Sequence, residues 1–374
     1  MNELTTGQQT VYQWFDHFHQ NPEVSWKEFK TTQKISEILT EMNVSHRLFD
    51  GIPGLVAEIG QGTDVIAMRA DIDALWQEVD GEMRANHSCG HDANISIVLG
   101  AILKLKDVPL NKRIRFIFQP AEESGGGAIE TIKQHVLEDV THLFGVHLRP
   151  IEELPLGKIT PAIHHGAAIF MKGTINGTDA HGARPHQGKS AIDVLVAIHQ
   201  FINSIYIDPF EASSIKMTKM HADGGSINII PGKAEFSLDI RAQKNEVLAT
   251  LIDRVENGLL ALGVLHGIDI QCEWYDRTPG AVVDESAARI AELSIIEALG
   301  MDALAPAIHT PGSDDFHFYT VMQPELKAAM IGVGANLAPG LHHPNMTFDK
   351  KALMDGIEAV SATLKNAANV TDRG

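Results

Sequence analysis

The chain has 374 residues, 44% hydrophobic and 21% charged, a balance that suits a soluble globular protein with one large core or two smaller ones. Its formal charge of -18 argues against a nucleic-acid partner, because neutralising phosphates needs clustered Lys and Arg, and an anionic substrate would need a local cation. No apolar run approaches the roughly 18 residues of a membrane span, which argues against a membrane partner. Two cysteines, Cys89 and Cys272, make no disulfide framework and suit a reducing cytoplasmic setting. The opening MNELTTGQQTVYQWF lacks the basic and apolar regions of a signal peptide.

After an N-terminal amphipathic helix, strand-like and helix-like stretches alternate. Val65 to Met68 reads as a buried strand leading into Arg69-Ala70-Asp71-Ile72-Asp73. A helix is expected from about Ile95 to Lys106, then a strand at Ile114 to Phe118 and a Gly-rich turn, Ser124 to Gly127, opening another helix. His142 to Val146 is a further short strand. This rhythm predicts an α/β fold with an open, mostly parallel sheet and flanking helices. The middle of the chain reads β-α-β-β-α-β: strand Ala167 to Thr174, helix Ser190 to Ile205, strands Ser213 to Met220 and Ala234 to Ala242, helix Glu246 to Leu262, strand Ile268 to Tyr275. That order is the split βαβ of a ferredoxin-like unit. It places an inserted domain at 166–277 within a discontinuous domain of 1–165 and 278–374. The outer domain resumes with a helix near Ala287 to Leu299, a strand at Ala328 to Val333 and a helix from about Lys351.

Possible metal ligands fall in four short stretches just past expected strand ends, where open α/β sheets bind ligands. In Cys89-Gly90-His91-Asp92, the Cys and His alternate as on an extended segment or tight turn, so both side chains would face one ion. Thiolate and imidazole suit zinc and its first-row neighbours; the bland reading is a small buried Cys beside a satisfied His. In Gln119-Pro120-Ala121-Glu122-Glu123, adjacent carboxylates on extended backbone would point to opposite sides, one to metal and one to substrate as a base. The alternative is a solvated acidic pair. His147 ends a short apolar strand and His342 lies in a Gly340-Leu341-His342-His343-Pro344 turn; each alone is more often structural. In the insert, Asp179 to His186 and Gly224 to Pro231 are polar, Gly- and Pro-punctuated loops. Asn228 and Arg241 read either as turn and surface residues or as donors for an oxyanion and a carboxylate.

Together these motifs resemble the metal-dependent N-acyl-amino-acid amidohydrolases of the carboxypeptidase-like aminoacylase superfamily. Relatives there act on hippurate, N-acetyl-diaminopimelate and auxin conjugates. The resemblance spans nearly the whole chain: His19-Gln20-Asn21-Pro22-Glu23-Val24-Ser25, Met68 to Leu75, Cys89 to Asp92, Gln119 to Glu123, Gly312-Ser313-Asp314-Asp315-Phe316 and Leu341 to Pro344. Within the family it is most similar to a bacterial amidohydrolase group often called AmhX. Three features depart from the family pattern and bear on the substrate side chain. Asn94 stands where His is common, Arg149 stands where an aromatic is common, and the loop from Leu75 to Cys89 is short.

The resemblance implies a di-zinc carboxypeptidase-like fold with one or two divalent ions (Zn, Mn, Co or Ni) per subunit. Cys89, His91, Glu123, His147 and His342 would be the ligands, with Cys89 bridging, and Glu122 the general base. His181 would contact the transition-state oxyanion, in relatives often across a dimer interface, and Asn228 would help bind substrate. The implied partners are a small N-acyl amino acid or amide conjugate and a second copy of the chain. Competing readings are an aminopeptidase or dipeptidase on the same scaffold, a Cys-nucleophile amidase using Cys89 and His91, and a non-catalytic amino-acid or metal binding protein.

Overall fold

The computed structural model describes residues 5–369. Positions 1–4 of the segment read above as leader-free, and 370–374 of the outer domain, lie outside the described residues. The chain divides into two compact units. One takes the chain up to His164, Val282–His309 and everything from Asp315 onward; the other takes His165–Ala281 and Thr310–Asp314. Among the described residues no helix is long and apolar enough to cross a membrane.

The first unit is built on a seven-stranded sheet. Its order is Ser45–Leu48, Leu55–Ile59, Arg113–Gln119, Val65–Asp71, Val140–Pro150, Lys327–Leu337 and Ile159–Thr160. The four strands from Arg113–Gln119 to Lys327–Leu337 run parallel, and every pairing outside them is antiparallel. Val65–Asp71 is buried at every position, as a central strand covered on both faces must be. Its side chains alternate strictly. Ile66, Met68 and Ala70 join one core with the helices Thr6–Gln20, His91–Leu105 and Lys351–Asn369, while Val65 and Ala67 join another with Phe316 and Tyr319.

That alternation sends Arg69 and Asp71 to the second face, where both are fully buried. Arg115 and Gln119 share the register of Ile117 on the neighbouring strand and lie on the same face. There the Arg69 guanidinium pairs with Asp71 and, at 2.7 Å, with Asp315, and its Nε donates to Gln119 Oε1 at 2.9 Å. Gln119 Nε2 in turn donates to Asp315 Oδ1 at 2.8 Å, and the Ala128 N–H donates to Asp315 Oδ2 at 2.8 Å. Opposite charges with filled hydrogen-bonding positions can be buried where isolated ones cannot.

Apart from the paired two-residue strands Ala180–His181 and Ile229–Ile230, the second unit has the element order β-α-β-β-α-β. Its four strands lie in the order Ser213–Ala222, Lys233–Ala242, Ala167–Asn176, Asp269–Thr278, all neighbours antiparallel. Ala234, Phe236, Leu238, Ile240 and Ala242 point to one side and meet buried residues of the helices Ala191–Asn203 and Asn245–His266.

Several elements differ from expectation. The helix after Cys89 begins at His91 rather than Ile95, because Gly90 takes φ +84 at its N-cap and starts the turn earlier. The strand expected to end at Val146 runs over Val140–Pro150, so His147 lies inside it, paired with Gly332 of the next parallel strand. The stretch before Cys89 holds a hairpin, Leu75–Val79 with Glu82–Asn86.

Replacing Arg69 by Met strands Asp71 and Asp315 in the core without their cation. The expected loss is about 3–5 kcal/mol in urea unfolding, the usual result of breaking a buried ion pair from one side; a loss below about 1 kcal/mol would show that this pairing does not hold the sheet.

Candidate metal centre

The three parallel strands that carry Asp71, Gln119 and His147 present the segments after them at one rim. Cys89, one residue before the Gly90 cap, and His91, in the first turn of its helix, are both buried. His91 is therefore helical, not extended, and it reaches the rim because the left-handed Gly90 turns the chain between the two side chains.

Hydrogen bonding at Nδ1 fixes the imidazoles of His91 and His147. His91 Nδ1 lies 3.0 Å from the backbone oxygen of Asp73 and 3.1 Å from Asp73 Oδ1. A carbonyl oxygen only accepts, so Nδ1 carries a proton, and Nε2 is the nitrogen that would offer a lone pair to a cation. That Nε2 is buried with no hydrogen-bond partner, 3.8 Å from Glu122 Oε2, 3.8 Å from Glu123 Oε1 and 3.9 Å from Asp71 Oδ2. His147 Nδ1 likewise donates to the Leu148 oxygen at 2.7 Å, leaving Nε2 facing Cys89 Sγ at 3.6 Å. The exposed His342, at φ +64 in its turn, places Nε2 3.3 Å from Glu123 Oε2.

Glu122 and Glu123 do not sit on extended backbone. Ala121 takes φ +56 and the next residues turn, with Gly125 N–H donating to the Glu122 oxygen at 2.8 Å. Both carboxylates consequently approach the same His91 Nε2 instead of pointing to opposite sides. Gly127 closes this turn, where an added Cβ would come 1.8 Å from the Pro120 oxygen. Glu122 Oε1 accepts weakly from the Asp315 N–H at 3.4 Å, whereas Glu123 Oε1 is buried without a hydrogen-bond partner.

The charges around this pocket are far from ordinary. Burial pushes the Cys89 thiol well up, and the Glu123 charge adds to that rise. Burial acts to lower His91, but the charges of Asp71 and Cys89 and the Asp73 hydrogen bond outweigh it and hold the imidazole well up. His342 is raised, chiefly by its hydrogen bond to Glu123. Asp73 is pushed up by burial yet ends below its usual value, because His91, Ser25 and the Glu123 N–H all donate to it. Carboxylates crowded about an unpartnered imidazole nitrogen call for a cation.

Donor geometry agrees with that need. Among the described residues, three triads made wholly of first-unit residues have all their ligand atoms within 4.8 Å of one another: Cys89, His91 and His147; Cys89, Glu123 and His342; His91, Glu122 and Glu123. Two donors each about 2.1 Å from one ion stand roughly 3–4 Å apart, which is the range seen here. Sulfur, imidazole nitrogen and carboxylate oxygen are the donor set of zinc and its first-row neighbours. The residues present fit a divalent transition-metal ion.

The remaining candidates belong to the second unit. His181 and Asn228 lie on adjoining loops there, tied by the short strands Ala180–His181 and Ile229–Ile230 and by the Gly182 N–H donating to the Asn228 oxygen at 2.7 Å. His181 Nδ1 accepts from the Ala183 N–H at 3.0 Å, which leaves Nε2–H as the ring's donor. The exposed Asn228 accepts from Ser226 Oγ at Oδ1, 2.8 Å away, and keeps its amide N–H groups as donors. Arg241 is paired with Asp239, its Nε donating at 2.9 Å.

The orienting roles of Asp73 and Asn94 were not legible in the sequence, although both lie in its motifs. Asp73 accepts from His91, from Ser25 Oγ at 2.7 Å and from the Glu123 N–H at 3.0 Å. Asn94 Nδ2 donates to Asp71 Oδ1 at 2.7 Å. The available signal was an Arg and two Asp closing a wholly apolar strand, where charge is costly unless it is matched.

A fold of this topology with such donors at its rim belongs to the metal-dependent hydrolases. Residues 67–366 match peptidase family M20/M25/M40, and the chain is a member of that family. It is 30% identical over 363 residues to the N-acetylcysteine deacetylase of Bacillus subtilis (strain 168), covering 90% of each chain. It is 28% identical over 326 residues to the IAA-amino acid hydrolase ILR1-like 4 of Arabidopsis thaliana, covering 80% of this chain and 72% of that one. A Rhodococcus jostii (strain RHA1) protein named as a candidate glutamate–cysteine ligase is 28% identical over 369 residues, and the chain spans 46% of its length. The crystal structure of the Bacillus subtilis YxeP protein, described as a dinuclear metal binding peptidase from the M20 family, shares the fold. Its TM-score is 0.81 at 24% identity, over 98% of this chain and 99% of that one.

Proposed function

We propose that this protein hydrolyses the amide bond of N-acyl amino acids or similar small conjugates, using a divalent cation held by Cys89, His91, Glu123, His147 and His342. The observation that carries the reading is the buried, unpartnered His91 Nε2 facing the equally unpartnered Glu123 Oε1 at 3.8 Å. Cys89, His91 and Glu123 each belong to two of the three first-unit donor triads, so the set has donors enough for one ion or two, with Cys89 the residue that would serve both. A deacetylase and an auxin-conjugate hydrolase among the relatives support the substrate class.

Bound there, the cation supplies Lewis acidity and makes a water easier to deprotonate at neutral pH. Glu122, beside the ligand set, takes the water proton and returns it to the leaving amine. His181 Nε2–H would serve as donor to the developing oxyanion, with the exposed Asn228 amide and Arg241 as donors to the substrate. The Cys-nucleophile reading is disfavoured. A reactive thiol needs an electropositive setting, and Cys89 is buried beside carboxylates that raise it.

We infer a homodimer through the second unit. Its outer strand Ser213–Ala222 pairs along one edge only among the described residues, and its helix Asn245–His266 exposes Leu260, Val264 and Leu265. Light scattering at assay concentration should return about twice the 40.7 kDa chain mass; a fully active monomer refutes the dimer.

Chelation should abolish release of acetate from N-acetyl amino acids, and a divalent transition metal should restore it. Free dipeptides, tested alongside, should be cleaved more slowly; the reverse order would make this a peptidase. Activity surviving in protein shown by elemental analysis to be metal-free would remove the cation from the mechanism.

The adjacent glutamates should separate cleanly. Glu123→Ala is expected to lower metal content and turnover together. Glu122→Gln keeps the side chain's size but removes its basicity, so metal content should hold while kcat falls ~10²-fold or more. Metal lost from Glu122→Gln but kept in Glu123→Ala means that the two roles are exchanged.

A further inference from the structure

We propose that Glu28 is a positioning residue whose carboxyl fixes the turn that aims Glu122 and Glu123. Glu28 is fully buried immediately before the helix Phe29–Glu41, and its Oε1 accepts the Ala121 N–H at 2.7 Å. Ala121 is itself fully buried at φ +56, a left-handed conformation that a residue with a side chain adopts only when its surroundings hold it there. Within the turn, the Ala121 oxygen is already engaged by the Gly127 N–H at 3.2 Å and by Ser124 Oγ at 3.1 Å. The Ala121 N–H is the point at which an outside segment grips the turn.

The same segment grips it a second time. Ser25 Oγ donates to Asp73 Oδ2, and that oxygen also accepts the Glu123 N–H. Residues 25–28 thus brace the turn on both sides of Glu122, directly at Ala121 and through Asp73 at Glu123. Burial, with the charge of Asp73, pushes Glu28 up to about 8. It is mostly a neutral acid at pH 7, so it holds the turn without adding charge to an already anionic rim. Its Oε2 has no hydrogen-bond partner among the described residues. What the site uses is one uncharged acceptor oxygen, which a glutamine also offers.

The inference rests on the hydrolase reading for its kinetic arm and on metal binding for its second arm. Wild type, Glu28→Gln and Glu28→Leu are compared as metal-loaded proteins for kcat and KM on an N-acetyl amino acid, and for zinc affinity by competition with a chelating dye. Glu28→Leu should lower kcat about 10- to 100-fold and weaken zinc binding by a similar order, the usual cost of losing a residue that orients the ligands. KM should stay within about threefold, since uniform substrate binding is untouched. Glu28→Gln should restore both quantities to within about threefold of wild type, which a merely structural need for a carboxylate would not allow. Equal losses in both variants, or none in Glu28→Leu, overturn the proposal. Where the Leu protein does not fold, the Gln protein decides: unchanged kcat and zinc affinity support the proposal, and a tenfold loss in either overturns it. A wild type that binds zinc but cleaves no amide sinks the hydrolase reading alone, and the zinc arm still tests Glu28.

Discussion

The guanidinium of Arg69 sits between Asp71 and Asp315 in the first unit, with Gln119 bonded to both Arg69 and Asp315. Everything at the rim follows from that arrangement. Asp71 and Gln119 end two neighbouring parallel strands, and Asp315 holds the N–H of Ala128, so one charge cluster joins strand ends to the turn that carries Glu122 and Glu123. Burial makes the cluster rigid, because any member that leaves abandons a partner in a medium that cannot solvate it.

Outward from that cluster the carboxylates outnumber the cations that could match them. Asp73 is satisfied by three donors, but His91 Nε2 and Glu123 Oε1 lie 3.8 Å apart, each buried with no hydrogen-bond partner among the described residues. A fold stabilised by pairing has left a gap in the pairing where a doubly charged ion fits. The energetic logic of stability and that of the proposed chemistry meet at one place, since the groups that cannot satisfy one another are the ones a cation would satisfy.

Two sequence departures find local explanations. Asn94 spends its amide on Asp71, steadying a carboxylate 3.9 Å from His91 Nε2. Arg149 is buried, and its guanidinium bonds Glu153 at 2.6 and 2.8 Å, which makes it part of the strand's end.

The layered fold was legible because its signal is local. An unbroken apolar run such as Val65 to Met68 belongs in a strand covered on both faces, and the β-α-β-β-α-β order of the middle segment follows from its periodicity. The residue types at the rim were legible as well, since Cys89, His91, Glu122 and Glu123 stand in short motifs after strands. What only the tertiary structure decided is direction. Glu122 and Glu123 converge because Ala121 adopts φ +56, and it adopts that angle where Glu28, 93 residues earlier in the chain, meets its N–H. Asp73 became the organiser of His91 because a strand end and a helix start, 18 residues apart, were brought together by packing. Local propensity carries no information about contacts across such separations, so a sequence can name candidate donors while leaving open where each one points.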